Sequence, residues 1–177
     1  MEIKAQLSKP YTDKERLDFI VEYNHNKGYE IKETESALEA WGYTEEEKLQ
    51  QTKETKYNEA NEGAKHYLEG DALFEFEEGK HIEATDGNIG KFTAYALGYV
   101  TGQLQPSDTV VWNTKEDETV ELTSEQVSNI LTGLGQVQAY IWSVQFPAYV
   151  QAIEQAQTIE EVEAIVINYE DTTITTE

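Results

Sequence analysis

Histidine is the side chain that most often serves as a general base or a zinc ligand near neutral pH. The chain has three, at His25, His66 and His81, and no cysteine. The three histidines are far apart in the sequence, and each lies beside polar residues typical of solvated positions. The sequence also has no His-Glu-x-x-His, Gly-x-Ser-x-Gly, phosphate-loop or dinucleotide-binding motif. We therefore predict no catalytic residue, no metal site and no cofactor.

Carboxylates are abundant, with 35 Asp and Glu residues, and two of them facing a cleft would be the machinery of a glycosidase. Such pairs need a shaped cleft, usually on a larger fold, so glycan cleavage is the weaker interpretation. Asp117 and its acidic neighbours have the ligand type that calcium prefers, but the twelve-residue loop with its ordered ligands and central glycine is missing. A solvated hairpin turn is the simpler interpretation.

The tryptophans Trp41, Trp112 and Trp142 lie in amphipathic segments, where a place in the core or at its edge is expected. Interface anchoring is the alternative, because Trp and Tyr dominate buried contact patches. Tyr140, Trp142 and Tyr149 widen the apolar arc of the last long helix beyond what one small domain covers. These three are therefore candidate interface residues, and we expect self-association or docking on a larger assembly.

The formal net charge of −22 restricts the possible partners. Nucleic acid and anionic membrane surfaces would repel this chain, and no apolar run approaches the roughly 18–20 residues of a membrane span. Residues 1–70 contain 10 Lys and Arg against 16 Asp and Glu, whereas residues 71–177 contain 3 against 19. Solubility at high copy number is the simpler reason for this asymmetry, and contact with a basic partner is the alternative.

The elements that must position these side chains centre on a β-hairpin that leads into one long helix. Thr109–Thr114 and Thr119–Leu122 are β-branched and alternate in polarity, and Thr123 with Gln126 forms a capping box. Apolar residues then recur at steps of three and four, which predicts one stripe on a helix. The stripe comprises Val127, Ile130, Leu131, Leu134, Val137, Ile141, Val144 and Ala148, of which Val127, Leu134, Val137, Ile141 and Val144 are taken as the core seam.

Two further features concern helices. Pro147 removes a backbone hydrogen bond and predicts a kink or split near residues 143–146. A second helix is predicted from Gly87 to about Leu104, capped by Thr85 or Asp86. Within it Ala94, Gly98 and Gly102 fall four residues apart, which indicates a face that another helix approaches closely.

The remaining segments complete the predicted order. An extended run over 1–11 precedes a helix that is capped at Thr12 and has Leu17, Ile20, Val21 and Asn24 on one face. Gly28 ends that helix in a left-handed conformation. A short strand at Tyr29–Ile31 and a short helix over 33–41 follow, then a polar helix capped at Thr44 and a hairpin over 73–84.

These predictions give an α+β fold: two short β-hairpins packed on a layer of helices that includes one long C-terminal helix, with an α-rich N-terminal appendage. The predicted divisions are a small helical and extended region at 1–44, a polar connecting helix at 45–69, an α+β domain at 70–167 and a loose tail at 168–177. The tail has the alternative of adding a strand to a partner sheet.

Several soft motifs of the second half follow a specific order and spacing. They are the strand pair 74–84, Ala84-Thr85-Asp86-Gly87-Asn88-Ile89, Val111-Trp112-Asn113-Thr114, Val120–Glu125, Gln138–Trp142 and Ala156–Val162. Through them residues 71–167 resemble a domain family of unknown function from tail-fibre and tail-associated proteins of tailed bacteriophages. The segments 11–16 and 38–43 look like parts of small phage tail proteins.

The resemblance implies a virion tail or fibre component and supplies no catalytic residues. We therefore expect a non-enzymatic structural or adaptor protein that docks on other phage tail or fibre proteins, as a homo-oligomer or part of a larger assembly. Because the first residues lack the apolar core of a signal peptide, synthesis in the bacterial host cytoplasm and residence in the virion are expected. The alternatives are a tail-fibre assembly chaperone and a glycan-binding or glycan-cleaving receptor module.

Overall fold

The chain has an α+β fold in which small, mainly antiparallel sheets pack against helices. The computed structural model describes residues 1–169 and the backbone of Ile174–Thr175. Two compact units are present, one formed by Met1–Glu54 with Gln157–Ile159, the other by Thr55–Ala156 with the chain from Glu160 onward. No helix within the described ranges has both the length and the apolar character needed to cross a membrane.

The first unit contains an antiparallel three-stranded sheet, a short helix and the first part of a longer helix. Leu7 lies opposite Leu38, and Ile31 lies opposite Ala40, so the strand that carries Leu38 and Ala40 is central. Phe19 packs with these two residues in the core of the unit. The elements are β1 (Glu2–Ser8), α1 (Asp13–Ile20), β2 (Glu30–Glu33) and β3 (Ala37–Gly42), and the sheet order is β1-β3-β2.

The predicted helix over 33–41 is wrong, because Ala37–Gly42 is β3. Alanine, leucine and glutamate favour helices in isolation, but this segment is hydrogen-bonded to a strand on each side. Ala37, Leu38 and Ala40 are fully buried there, and tertiary pairing decides the conformation. The N-terminal region is therefore richer in strand than the predicted α-rich appendage.

The capping box that opens α1 is confirmed: Thr12 Oγ1 accepts from the Glu15 backbone N–H at 3.2 Å, and the Glu15 carboxylate accepts from the Thr12 N–H at 2.7 Å. The predicted face is correct only at Ile20, which packs against the core. Leu17 is 61% exposed and Val21 is also exposed. Phe19 is the buried residue of α1. A π turn at Val21–His25 follows and brings Tyr23 within 4.6 Å of the Phe19 ring, so an aromatic pair forms the inner face. Gly28 has φ +70°, as predicted.

The long polar helix α2 (Glu45–Leu68) begins with the predicted cap, in which Thr44 and Glu47 exchange hydrogen bonds of 2.8 and 3.1 Å. The boundary between the two units falls inside α2, after Glu54. Its last part, which carries Ala64 and Leu68, is buried in the core of the second unit. The C-terminal half of α2 is thus a core element as well as a connection.

The second unit contains both predicted hairpins and the long C-terminal helix. Phe74 and Ile82 pair across the first hairpin, and Trp112 and Val120 pair across the second. Val162, on a short final helix, is fully buried. The elements are β4 (Leu73–Glu77), β5 (Lys80–Glu83), α3 (Asp86–Val100), β6 (Val110–Asn113), β7 (Thr119–Leu122), α4 (Ser124–Tyr140), α5 (Phe146–Gln155), α6 (Ile159–Glu163) and β8 (Ile174–Thr175).

The apolar seam of α4 forms the centre of this core. Val127, Leu134, Val137 and Ile141 are fully buried, and α4 begins with the predicted capping box of Thr123 and Gln126. The predicted continuation to Val144 is wrong, because Val144 is 50% exposed.

A π turn at Ile141–Gln145 explains the change of face. A π turn contains one residue more than an α turn, so every later position rotates relative to α4. The partly buried Tyr149 and the buried Ile153 therefore occupy the inner face, one residue out of phase with the predicted Val144 and Ala148. Pro147 lies in the first turn of α5, directly after the π turn. The irregularity that Pro147 predicts is therefore a π turn, and the helical backbone continues through it.

The small-residue stripe on α3 does not form the predicted helix contact. The helix ends at Val100, and Gly102, at φ +75°, is the left-handed residue that follows it. Leu104 folds back on Gly98, where an added Cβ would lie 3.1 Å from Leu104 Cδ1. Ala94 is exposed. The glycines therefore terminate α3 instead of admitting a second helix.

The predicted loose tail is corrected at the described residues of 168–177. Tyr169 is buried, and its hydroxyl donates to the Ala60 carbonyl at 2.9 Å. The backbone of Ile174 and Thr175 pairs in parallel with Phe74 and Glu75, which gives the sheet order β5-β4-β8. The added strand thus joins the chain's own sheet. Residues 170–173 and 176–177 lie outside the described residues.

Candidate functional site

The histidines lie on three separate elements. His25 ends the π turn after α1, His66 is exposed on α2, and His81 lies on β5. His66 Nδ1 is 4.0 Å from Asp71, and His81 Nδ1 is 2.7 Å from Glu116. Among the residues that the structure describes, no group of three His, Asp or Glu side chains is placed to hold a metal ion.

His81 and Glu116 instead join the two hairpins of the second unit. The His81 backbone N–H donates to Glu116 at 3.0 Å, and the Lys115 N–H donates to the His81 carbonyl at 2.9 Å. The backbone donor, with the imidazole beside it, lowers the pKa of the Glu116 carboxyl to about 2. Next to this joint is a polar cleft of about 280 Å³ lined by Glu83, Asn113 and Asp117 among others. In this lining, Lys115 and Asp117 belong to the hairpin turn that the sequence predicted.

A second concave feature lies beside Trp142 and is called the aromatic groove below. It encloses about 510 Å³ and is open to solvent. Three elements line it: the end of α2 through Lys65, Leu68 and Glu69, the start of α3 through Thr85, Asp86 and Gly87, and the π turn through Trp142.

Local structure fixes the walls of the aromatic groove. Thr85 caps α3, its hydroxyl accepting from the Asn88 N–H at 3.1 Å. The Gln138 side chain on α4 donates to the Ala84 carbonyl at 3.1 Å and to Asp86 Oδ1 at 2.8 Å. The start of α3 and the end of α4 are therefore held together, and the Asp86 carboxylate has a defined orientation.

Trp142 belongs to a row of aromatic side chains on this surface. The rings of Trp142 and Phe146 are 5.5 Å apart and edge-on, and those of Phe146 and Tyr57 have the same separation and type of contact. Trp142 is 37% exposed and Tyr57 is 42% exposed. Partly exposed aromatic rings held by one another are the usual anchors of protein interfaces. The π turn, a feature often found at functional sites, places Trp142 in this position.

The charge around the aromatic groove is negative. Lys65 lies 2.8 Å from Glu62, so its charge is matched within α2. Glu69 and Asp86 form no ion pair within the described part of the chain. Asp86 is in the first turn of α3, where the partial positive charge of the helix N-terminus attracts a carboxylate.

The predicted interface residues are thus only partly brought together. Trp142 lines the groove, and Tyr140 is exposed on the same helix but does not line it. Tyr149 faces inward, with its ring 5.3 Å from Tyr169 and its hydroxyl accepting from the Asn168 N–H at 3.0 Å. Its ring therefore packs within the second unit, and Tyr149 is not among the residues that line the groove. Ala94, Gly98 and Gly102 lie apart from the groove-lining residues.

Sequence reasoning missed Tyr57, Phe146 and Leu68 as surface partners of Trp142. Phe146 follows Trp142 by four residues, the spacing at which helical side chains meet, and this signal was available. Tyr57 comes from a distant part of the sequence, and no local pattern connects it to the π turn. Searches of protein-family models, curated proteins and solved structures found no match to this chain.

Proposed function

We propose that this chain is a non-enzymatic structural or adaptor protein of a bacteriophage tail or tail fibre. It acts by docking on other tail or fibre proteins and resides in the virion. The resemblance of residues 71–167 to tail-associated domains supports the setting. The exposed aromatic row of Tyr57, Phe146 and Trp142 supports the mode of action.

The aromatic row is the observation that carries the docking function. Exposed Trp and Tyr side chains supply large contact area with little loss of side-chain entropy when a partner covers them. The row is mounted on helices, and Gln138 ties the neighbouring start of α3 to α4. A surface organised before binding loses less free energy to ordering, which favours a stable assembly contact.

The side chains around the row favour docking over bond cleavage. Asp86 accepts a hydrogen bond from Gln138 and lies in the first turn of α3. A cation at the rim, Lys65, is paired with Glu62. This arrangement presents fixed charges and an apolar platform, which are the elements of a specific protein contact.

The decisive experiment is protein analysis of particles purified from host cells that carry the encoding phage. A band at a fixed copy number per particle is expected. Absence of the chain from particles, together with misassembled fibres when its gene is deleted, would replace the structural role with that of an assembly chaperone. Loss of incorporation in Trp142→Ser, with Leu97→Ser as the matched control for an exposed apolar side chain, would identify the aromatic row as the contact.

A further inference from the structure

We propose that the aromatic groove receives a basic segment of a protein partner, whose guanidinium or ammonium group lies over the Trp142 ring between Glu69 and Asp86. This inference rests on the proposed docking function and names the chemistry of the partner at that site.

Each of the other two tryptophans has a lysine over its ring. Lys32 Nζ lies 5.0 Å from the ring centroid of Trp41, and Lys91 Nζ lies 5.3 Å from that of Trp112. These are cation–π distances, at which the negative face of the indole attracts the charge. Trp142 has no such cation in residues 1–169. Trp142, which lines the aromatic groove, is therefore the tryptophan whose ring has no cation over it within residues 1–169.

The lysines of residues 71–177, and Lys65 at the groove, are engaged with other side chains. Residues 71–177 contain three lysines and no arginine. Lys80 pairs with Glu77 at 3.1 Å, Lys115 pairs with Glu83, and Lys91 is engaged with Trp112. At the groove itself Lys65 pairs with Glu62. A cation over Trp142 therefore has to come from a partner.

The groove carboxylates complement such a cation. Glu69, in the turn that follows α2, and Asp86, in the first turn of α3, both line the groove with Trp142. Asp86 is held by Gln138 through Oδ1, so its orientation is set before binding. A planar guanidinium can stack on an indole while its edges donate to carboxylates, which favours arginine over lysine in the partner segment.

Charge also favours a basic partner over a second copy of this chain as the occupant of the groove. Each copy carries a net charge of −22, and placing two such surfaces together sets like charges against each other. A partner with a basic segment gains attraction from the same field, and the association rate rises at low salt. Leu68 supplies the apolar part of the groove, where a side chain next to the cation can pack.

The test uses a fluorescein-labelled peptide of three Gly-Arg-Leu repeats, titrated with the full chain and followed by fluorescence anisotropy. The matched probe replaces each arginine by citrulline, which keeps the shape and removes the charge. We expect the citrulline peptide to bind about tenfold or more weakly, and Trp142→Leu to weaken arginine-peptide binding by about tenfold. Tyr140→Leu, on the same helix but outside the groove lining, should change binding by less than about twofold.

A second set of variants tests the groove carboxylates while leaving the Trp142 ring unchanged. The double variant Glu69→Gln and Asp86→Asn should weaken binding by about tenfold, whereas Glu78→Gln with Glu118→Gln, which removes the same charge from two exposed turns, should change it by less than about twofold. Circular dichroism and thermal melting of each variant establish that it is folded.

Several outcomes would overturn the inference. They are equal binding of the arginine and citrulline peptides, equal losses in the two double variants, no arginine-peptide binding at millimolar chain, or displacement of the peptide by maltohexaose, which would indicate a glycan site. Particle incorporation decides the proposed function separately. If the chain is incorporated but does not bind the peptide, the docking function stands and the basic partner is ruled out. If the chain binds the peptide but is not incorporated, the basic partner stands and the structural role in the virion is ruled out.

Discussion

Gly133 on α4 faces the ring of Phe74 on β4 so closely that a Cβ at Gly133 would lie 2.2 Å from two ring carbons. Phe74 is fully buried and is one of the largest side chains of the core. The helix can approach the sheet to this distance only because position 133 has no side chain. The glycine thus sets the separation between α4 and the sheet.

Gly133→Ala is expected to destabilise the protein by about 1–3 kcal/mol, because the ring or the helix must move to admit the methyl group. Gly135→Ala is the matched control: it is on the same helix, and an added Cβ meets nothing within 4 Å. The control should be stabilised by about 0.5–1 kcal/mol through helix propensity. Urea denaturation of both variants measures the difference, and an equal effect of the two substitutions would contradict the close approach.

The π turn predicts that the protein still folds when one residue of the turn is deleted. Removing the exposed Ser143 takes out the one extra residue and lets α4 and α5 continue as a single α-helix with Tyr149 and Ile153 still facing inward. Both this deletion and its control are made in a Pro147→Ala background, because proline inside one continuous α-helix would itself cost about 3 kcal/mol. In that background we expect a folded protein that loses about 1 kcal/mol or less of unfolding free energy, since few buried contacts change.

The matched control for this prediction deletes Thr132, which is exposed within the regular part of α4. That deletion rotates every later residue by about 100° and turns the buried seam away from the core. It should cost more than about 3 kcal/mol or abolish folding. Thermal melting followed by circular dichroism distinguishes the two, and equal destabilisation would show that the π turn does not set the phase of α5.

Local sequence chemistry predicted much of this fold. Hydrogen bonds between residues three apart define the capping boxes at Thr12, Thr44 and Thr123, so a four-residue pattern is enough to place each helix start. The seam through Ile141 followed from regular α-helical spacing. Val144 was misplaced because the inserted π residue changes the phase, and Pro147 signalled a break without giving its geometry.

Two further errors come from pairing between distant segments. The strand Ala37–Gly42 is fixed by neighbours on both sides, and its own residues favour a helix. Tyr169 is fixed by Ala60, more than one hundred positions earlier. At the candidate site the sequence identified Trp142 but could not bring Tyr57 to it, since α2 and the π turn meet only in the folded chain.

Acid should weaken the joint between the two hairpins. The Glu116 pKa is lowered from its ordinary value of 4.5 to about 2 by the His81 backbone donor and imidazole. A depressed carboxyl pKa contributes stability that is present above pH 4.5 and is lost as the pH falls through about 2. Glu116→Gln should therefore reduce stability at pH 6 and narrow its difference from the unmodified chain as the pH is lowered from 4.5 to 2.

Urea midpoints at pH 6, 4 and 2.5 measure this difference directly. Glu118→Gln removes the same charge from the same turn, and the Glu118 side chain makes no contact with His81. It therefore accounts for the general relief of repulsion in a strongly acidic chain. If Glu116→Gln and Glu118→Gln followed the same curve, the hairpin joint would have no part in the acid response.

The buried hydroxyl of Tyr169 ties the end of the described chain to α2. It donates to the Ala60 carbonyl at 2.9 Å, and burial raises the pKa of Tyr169 from 10.0 to about 12. Tyr169→Phe keeps the ring and removes the donor, so it should cost about 1 kcal/mol at pH 7, whereas Tyr140→Phe, on an exposed ring, should change stability by less than about 0.5 kcal/mol.

The buried Tyr169 hydroxyl also makes the stability of the protein depend on pH above 10, which an exposed tyrosine would not do. A raised tyrosine pKa means that stability is fully present below pH 10 and is lost as the pH rises toward about 12, because the unfolded chain ionises first. Tyr169→Phe removes this loss, so its stability deficit should shrink between pH 10 and 11.5 while that of Tyr140→Phe stays constant. Urea denaturation at pH 7, 10 and 11.5 tests this expectation. A Tyr169→Phe deficit that is independent of pH would show that the hydroxyl is exposed to solvent and that the residues after α6 are not anchored on α2.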